Sequence, residues 1–308
     1  GAIETEIGND HRIYNFTLGR EWGSRSLSKR TFLETGFHKL AYPNPPTGFV
    51  VPEPTKDIPL LFTFALESRN DFVEHIGVDS LVSREDIALG TRSWFTVGTH
   101  YRSREGQGQW HAEQGVGVSH VGEPGAKQLM SFFLEGSMRL NAGETRASKL
   151  QTFYHHYLFI TKNQAFAIGA AFDYAFTHDD LYLPLTLGED RGLRGYDSFA
   201  FTGNKRFLFN LEHRFTYPWH HALLTLGQVI FVDGGGAWKP GSQPGEDMHW
   251  SVGWGLRADA ASLFGGKIMR FDLAYPLDAT GGRNPSFSFS VGHIFEHNSA
   301  NQGFSKVF

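Results

Sequence analysis

Residues Ala165 to Thr177 read AFAIGAAFDYAFT, and their alternation decides the fold. Phe166, Ile168, Phe172, Tyr174 and Phe176 fall on one side of an extended chain, while Ala165, Ala167, Gly169, Ala171, Asp173 and Ala175 fall on the other. Strand side chains alternate with period two, so this segment carries one bulky apolar face and one small or polar face. The pattern recurs downstream. Phe207, Phe209, Leu211, Phe215 and Tyr217 oppose Arg206, Asn210, Glu212, Arg214 and Thr216. Charges at consecutive positions of one face do not suit the dry core of a soluble sandwich. Trp250, Val252, Trp254 and Leu256 oppose Ser251, Gly253, Gly255, Arg257 and Asp259, and Phe287, Phe289, Val291 and Phe295 oppose Ser286, Ser288, Ser290 and Gly292.

Working outward, the same reading places strands at Arg30 to Tyr42, Leu60 to Arg69, Ile87 to Tyr101, Gln107 to Val121, Gln128 to Asn141, Arg146 to Lys162, Ala222 to Trp238 and Gly266 to Tyr275, twelve in all. Their connections alternate in length. Lys162 to Ala165 and Pro218 to His221 are short, whereas Pro43 to Pro59, Thr177 to Lys205 and Lys239 to Asp247 are long. Bacterial membrane barrels have short periplasmic turns and long outer loops, which fits a first strand starting near Arg30 at the periplasmic side. Asn70 to Asp86 is long for an inner turn and leaves room for another hairpin, and Arg12 to Trp22 is a further strand candidate.

Composition supports a barrel in a membrane. Only 19% of residues are charged and 15% are aromatic, with 28 Phe and 36 Gly among 308 residues, yet mean hydropathy is −0.31. Such an average arises where apolar exterior positions alternate with polar interior ones. No apolar run reaches about 18 residues, so a spanning helix is excluded and a closed barrel is the remaining way to satisfy a backbone in lipid. The weaker alternative is a soluble β-sandwich or lipid-carrying barrel. A net charge of −4 without a basic block argues against nucleic acid. The absence of cysteine removes disulfides and thiolate chemistry and is compatible with the periplasm. Residues Gly1 to Asp10 carry no leader pattern, so a signal peptide is expected to have been removed. The expected fold is all-β: a transmembrane antiparallel up-and-down barrel of about 12 strands (range 12–16) over residues 30–296. Residues 1–29 then form a periplasmic segment or an extra strand, and 297–308 a C-terminal tail.

Within the longest loop stands LGEDRGLRGY, Leu187 to Tyr196. It resembles the signature loop of the BamA, TamA and FhaC superfamily of outer-membrane barrels, in which a glycine-bearing approach precedes an Arg-Gly-aromatic tripeptide. Here Gly188 lies in the approach, Arg194, Gly195 and Tyr196 occupy the tripeptide, and Leu193 replaces the commoner Val. Leu211-Glu212-His213-Arg214-Phe215 is similar to that superfamily's Glu-x-Arg strand, and Phe231-Val232-Asp233-Gly234-Gly235 to its Phe-x-Asp-x-Gly strand. The resemblance is specific from about Leu185 to Phe295, with a faint echo at Glu85 to Gly90. The family's usual barrel has roughly sixteen strands, more than the twelve counted here. Members also carry periplasmic βααββ modules, for one of which Gly1 to Lys29 is too short.

The resemblance implies that the loop folds inward, with Arg194 held between Glu212 and Asp233 as a tether bracing the wall and with Arg214, Phe231 and Gly235 in support. Glu212 and Asp233 both project inward by alternation, and a carboxylate suits bidentate pairing with guanidinium. The bland alternative is a solvated loop arginine. Gly195 and Gly234 to Gly236 are expected to allow close backbone approach with Tyr196 packed beside them, or else the glycine run marks a bulge. Phe289, Val291 and Phe295 fit a terminal sorting signal, although Glu296 to Phe308 continues past it.

No cofactor or metal is expected. His155-His156 and His220-His221 are adjacent pairs, and neighbours on a strand point to opposite faces. No nucleophile elbow, zinc-protease or phosphate-loop motif occurs, so the chain is not expected to be an enzyme; Ser131 and His155 are catalytic candidates by location alone. The expected function is insertion or translocation of polypeptides in a bacterial outer membrane, with lipid bilayer and lipopolysaccharide as surroundings and a polypeptide client. The competing reading is an anchor or scaffold with a plugged lumen. A passive pore is disfavoured by the inward loop. The seam is expected between the strand near Arg30 and the strand Pro285 to Phe295.

Overall fold

A computed structural model describes residues 8–24, 26–44, 55–78, 80–81, 83–104, 106–142, 144–177, 185–221, 224–242, 245, 247–259, 268–278 and 285–291. Thirteen strands form one sheet in which each pairs antiparallel with the next. They are β1 (Gly8–Gly23), β2 (Leu27–Asn44), β3 (Thr55–Ile76), β4 (Arg84–Arg104), β5 (Gln107–Gly122), β6 (Gln128–Asn141), β7 (Glu144–Thr161) and β8 (Gln164–Thr177), followed after the long loop by β11 (Lys205–His221), β12 (Leu224–Trp238), β13 (His249–Asp259), β14 (Ile268–Pro276) and β15 (Ser286–Val291). The loop contains its own small hairpin, β9 (Leu185–Leu187) with β10 (Phe201–Gly203).

The side chains are sorted inside out relative to a soluble protein. Phe62, Phe95, Ile230, Trp254, Leu273 and Phe287 are exposed, while Glu113, Arg139, Glu212, Asp233, Arg257, Arg270 and Asp272 are buried. Along β14, and along β12 as far as Asp233, burial alternates residue by residue, as a half-lumenal strand requires. The sheet is a transmembrane up-and-down barrel that shows its apolar face to hydrocarbon and its charges to the lumen. Its coiling is visible in contacts across the sheet. The amide of Leu81, in the turn after β3, donates to Asp259 Oδ2 of β13 at 3.0 Å, and Arg214 of β11 donates to the Val78 carbonyl at 3.3 Å.

The extra strand allowed for in residues 1–29 is present: Gly8–Gly23 pairs along its length with β2, ahead of the strand that holds Arg30. Two expectations change. Among the described residues of 70–86 there is no extra hairpin; β3 continues to Ile76 and β4 starts at Arg84, their ladder interrupted by one register shift between Arg69 and Asp71. The strand containing Arg30 is hydrogen-bonded on both edges, to β1 and to β3, so it cannot lie at the seam. The edge strands are β1 and β15, and among the described residues no ladder joins them. An odd number of antiparallel strands makes these two edges run in the same direction. Phe295 and the tail 297–308 lie outside the described residues.

If the outer face meets lipid, its chemistry must be apolar even where a soluble protein would accept a charge. Ile230, midway along β12, and Phe199, in the long loop, are both 60% exposed. Ile230→Arg should lower the unfolding free energy in phospholipid vesicles by about 2–4 kcal/mol, and Phe199→Arg by about 0.5 kcal/mol or less. Urea titration of both variants checks this; equal small effects would remove the membrane reading.

Candidate functional site

On the inner face of β11 and β12 the register sets Asn210 opposite Asp233 and Glu212 opposite Phe231. These four side chains form a polar square with one aromatic corner. Space for the Phe231 ring comes from β13, where a Cβ on Gly253 would stand 2.2 Å from Phe231 Cζ. Likewise a Cβ on Gly255 would stand 2.0 Å from Asp272 Oδ1, so that glycine makes room for the pair between Arg257 and Asp272 at 2.7 Å.

The long loop enters this square. A 3₁₀ turn at Glu189–Arg191 ends in Gly192, whose left-handed backbone (φ 94°) reverses the chain. The Leu193 amide donates to the Gly188 carbonyl at 2.9 Å and the Glu189 amide to the Tyr196 carbonyl at 3.2 Å, so the loop closes on itself. Arg194 is then delivered into the lumen, only 2% exposed. Its Nε and Nη2 donate to the two oxygens of Asp233 at 2.7 and 2.8 Å, and Nη1 donates to Glu212 Oε1 at 2.9 Å. The guanidinium lies 3.3 Å over the Phe231 ring centroid, a cation–π contact. Asn210 donates to Asp233 Oδ1 at 2.7 Å and to the Gly192 carbonyl at 2.9 Å, tying loop backbone and wall carboxylate together. Burial alone would weaken the charged guanidinium, but the Asp233 and Glu212 carboxylates outweigh it and hold its pKa above the usual arginine range.

Gly195 follows at φ 92°, and a Cβ there would stand 3.2 Å from Ser251 Cβ and 3.4 Å from Ala274 Cβ. Both conformation and closeness to β13 and β14 therefore select glycine. Tyr196 is 1% exposed and packs with Leu187 and Leu193. Its hydroxyl stands 2.8 Å from the Trp250 carbonyl and 2.7 Å from Asp278 Oδ2, between which it shares its proton. Burial and then the Asp278 carboxylate raise its pKa, so the phenol stays a donor. The glycine run gives the close approach of loop to wall that was expected of it. Its register with β11 is unbroken, so it marks no bulge. Gly235 admits Leu187 of the loop, which would lie 2.9 Å from an added Cβ, and Tyr196 packs in the same cluster as that leucine. A Cβ on Gly188 would meet the Asp197 carbonyl at 2.1 Å.

Arg214 extends the site toward the other mouth. Its Nε donates to Glu212 Oε2 at 2.9 Å, and the same side chain reaches the Val78 carbonyl in the turn between β3 and β4. Val78 is fully buried against Ile87, Leu129, Tyr157 and Ala167. Glu212 thus spends one oxygen on the outer loop and the other on an arginine that holds the inner turn. Asp272, Arg270 and Asp278 join this network without having been singled out from sequence, and Asn210 and Arg257, read there only as polar-face positions, join it too. The signal for Arg270 and Asp272 was available: they alternate with Met269, Phe271 and Leu273, the same pattern that marks Glu212 and Arg214.

The remaining candidates lie outside this network. Ser131 and His155 face each other in the β6–β7 register, and among the described residues the Ser131 hydroxyl has no hydrogen-bond partner. His155 stacks on Phe153 and His156 meets Tyr154 edge-on, on opposite faces of β7. Among the described residues no group of three or more His, Asp or Glu could hold a metal ion. Of the side chains of His220 and His221 the described residues include nothing. Phe289 and Val291 point outward on β15.

Residues 108–295, more than half of the chain, match the family described as the Omp85 superfamily domain. No curated protein matches. Among solved structures, BamA from Haemophilus ducreyi lacking POTRA domains 1–3 superposes with TM-score 0.50 at 13% identity, covering 92% of this chain and 70% of that one. CdiB from Acinetobacter baumannii gives 0.51 at 11%, covering 91% and 50%, and CdiB from Escherichia coli 0.51 at 13%, covering 91% and 53%. This chain therefore spans about half the length of either CdiB structure.

Arg194 and Arg191 stand in one loop in opposite environments, since the Arg191 side chain is 55% exposed and pairs with Asp190 at 3.4 Å. Arg194→Ala leaves buried carboxylates uncompensated and should cost about 3–5 kcal/mol, whereas Arg191→Ala should cost about 0–1 kcal/mol. Denaturant titration together with limited proteolysis of the loop checks both. Equal small losses would mean that Arg194 is not the buried partner of Asp233.

Proposed function

The chain belongs to the Omp85 superfamily of outer-membrane barrels, and from that premise we propose that it inserts or translocates polypeptides at the outer membrane. The observation that carries this reading is the combination of a lumen occupied by a pinned loop with two strand edges, β1 and β15, that no ladder joins among the described residues. A lumen so filled suits passive solute flow poorly. An unpaired edge in hydrocarbon leaves backbone groups unsatisfied at several kcal/mol each, so it templates an incoming strand. The client in this reading is an extended polypeptide, and the surroundings are phospholipid and lipopolysaccharide. No reaction is assigned to the chain.

A second reading, an anchor or scaffold, is favoured by one specific observation: the inner turn at 77–83 is pinned across the lumen as well, through Val78 and Leu81, so both mouths carry a plug. The two readings separate at the edges. A photo-crosslinking residue at Phe16 of β1 or Phe289 of β15 should trap polypeptide clients in cells, while the same residue at Phe95, outward but mid-sheet, should not. Adducts absent from both edges, or equally abundant at Phe95, would leave the scaffold.

A further inference from the structure

At the end of the barrel opposite the long loop, beneath the turn after β3, lies a cavity of about 40 Å³. Ser80, Lys162, Arg214, Thr216, Gln228 and Arg257 are among its lining residues, which include three cations and, among the described residues, no carboxylate. A cavity needs roughly 10–15 Å³ of such space to hold a water, so this one has room for water or for one small group. Arg257 is 5% exposed. Its Nη1 is engaged by Asp272 at 2.7 Å and by the Leu256 carbonyl at 3.0 Å, but its Nη2 has no hydrogen-bond partner. Its nearest carboxylate oxygen is Glu212 Oε1 at 3.9 Å, already committed to Arg194. Asp259, two residues along the same face, sends Oδ2 to the Leu81 amide and forms no hydrogen bond through Oδ1. A buried guanidinium nitrogen without an acceptor is unfavourable, and a hydrogen-bond acceptor carrying negative charge is the group that relieves it best.

We propose that this cavity is a binding site for one small oxoanion, a phosphate or a carboxylate group. Arg257 Nη2 supplies the buried donor, Thr216 is a neutral partner on the wall, and Lys162 stands at the rim as the attracting charge; Ser80 lines the site with its own donors already spent on Glu85 and Ser83, and the Gln228 side chain accepts from Trp254 on the outer face. Because the walls include the turn that plugs this mouth, an occupied site ties that turn more firmly to β11 and β13.

The test uses the whole chain in zwitterionic detergent at constant ionic strength, with chloride replaced stepwise by inorganic phosphate or by acetate. The thermal midpoint should rise by a few degrees and saturate. Arg257→Gln should abolish the rise. Lys162→Gln, at an exposed turn where folding is not at stake, should shift the half-saturating concentration about fivefold upward. Lys239→Gln, the same charge change at the opposite mouth, should leave the titration as it is. A second arm in nanodiscs containing phosphatidylglycerol without free oxoanion distinguishes the sources: a rise there assigns the site to a lipid headgroup, and a rise only with dissolved salt assigns it to a free anion. Flat titrations in every arm, or a response that neither Arg257→Gln nor Lys162→Gln alters, would mean that water fills the cavity and would overturn the proposal.

Discussion

Everything near the lumen is arranged around the burial of one guanidinium. Removing a charge from water is expensive, and Arg194 is tolerated because Asp233 meets it with both oxygens, Glu212 with one and Phe231 with its ring face. Such a cluster contributes more to uniqueness than to stability. An apolar replacement could fill the same volume, but only this geometry demands that the loop return to one place on one wall. The demand propagates outward. Asn210 must hold Asp233, and Gly253 and Gly255 must stay bare so that Phe231 and Arg257 fit. Gly195 must accept a left-handed turn hard against Ser251.

The second constraint is the backbone. A sheet in hydrocarbon has no water to satisfy its edges, so each strand of the barrel leans on its neighbours and the side chains sort by solvent rather than by the usual rule. Apolar aromatics are left outside and charges are enclosed. The enclosed charges then need one another, which is why the lumen holds linked ion pairs, such as Arg206 with Asp173 and Arg102 with Asp57, beyond the central cluster.

Periodicity made the strands legible, because a two-residue repeat survives translation into structure without any knowledge of partners. Strand ends were less legible. The extension of β3 to Ile76 depends on register with β4 and lacks the fat-and-small alternation of Ala165–Thr177, whereas Gly8–Gly23 shows that alternation only briefly, at Tyr14, Phe16 and Leu18 against Asn15, Thr17 and Gly19. Of the site, Arg194, Glu212 and Asp233 could be read from the resemblance and from inward phase. Their neighbours Asp272 and Arg257 come from β14 and β13, and nothing in a single sequence says which inward charges will share a level of the barrel. The role of the turn at 77–83 was hidden for the same reason: Val78 and Leu81 look like ordinary turn residues until Arg214 and Asp259 are found across the lumen.

Glu212 joins two plugs that approach from opposite mouths, one through Arg194 directly and one through Arg214. In thermodynamic terms this makes the two mouths linked equilibria. If the departure of the outer loop changes how firmly Arg214 is held, then the departure of the inner turn changes the hold on Arg194 by the same free energy, since coupling between two sites is reciprocal. A single carboxylate thus gives the barrel a way for each side of the membrane to register the state of the other, with no moving part longer than a side chain.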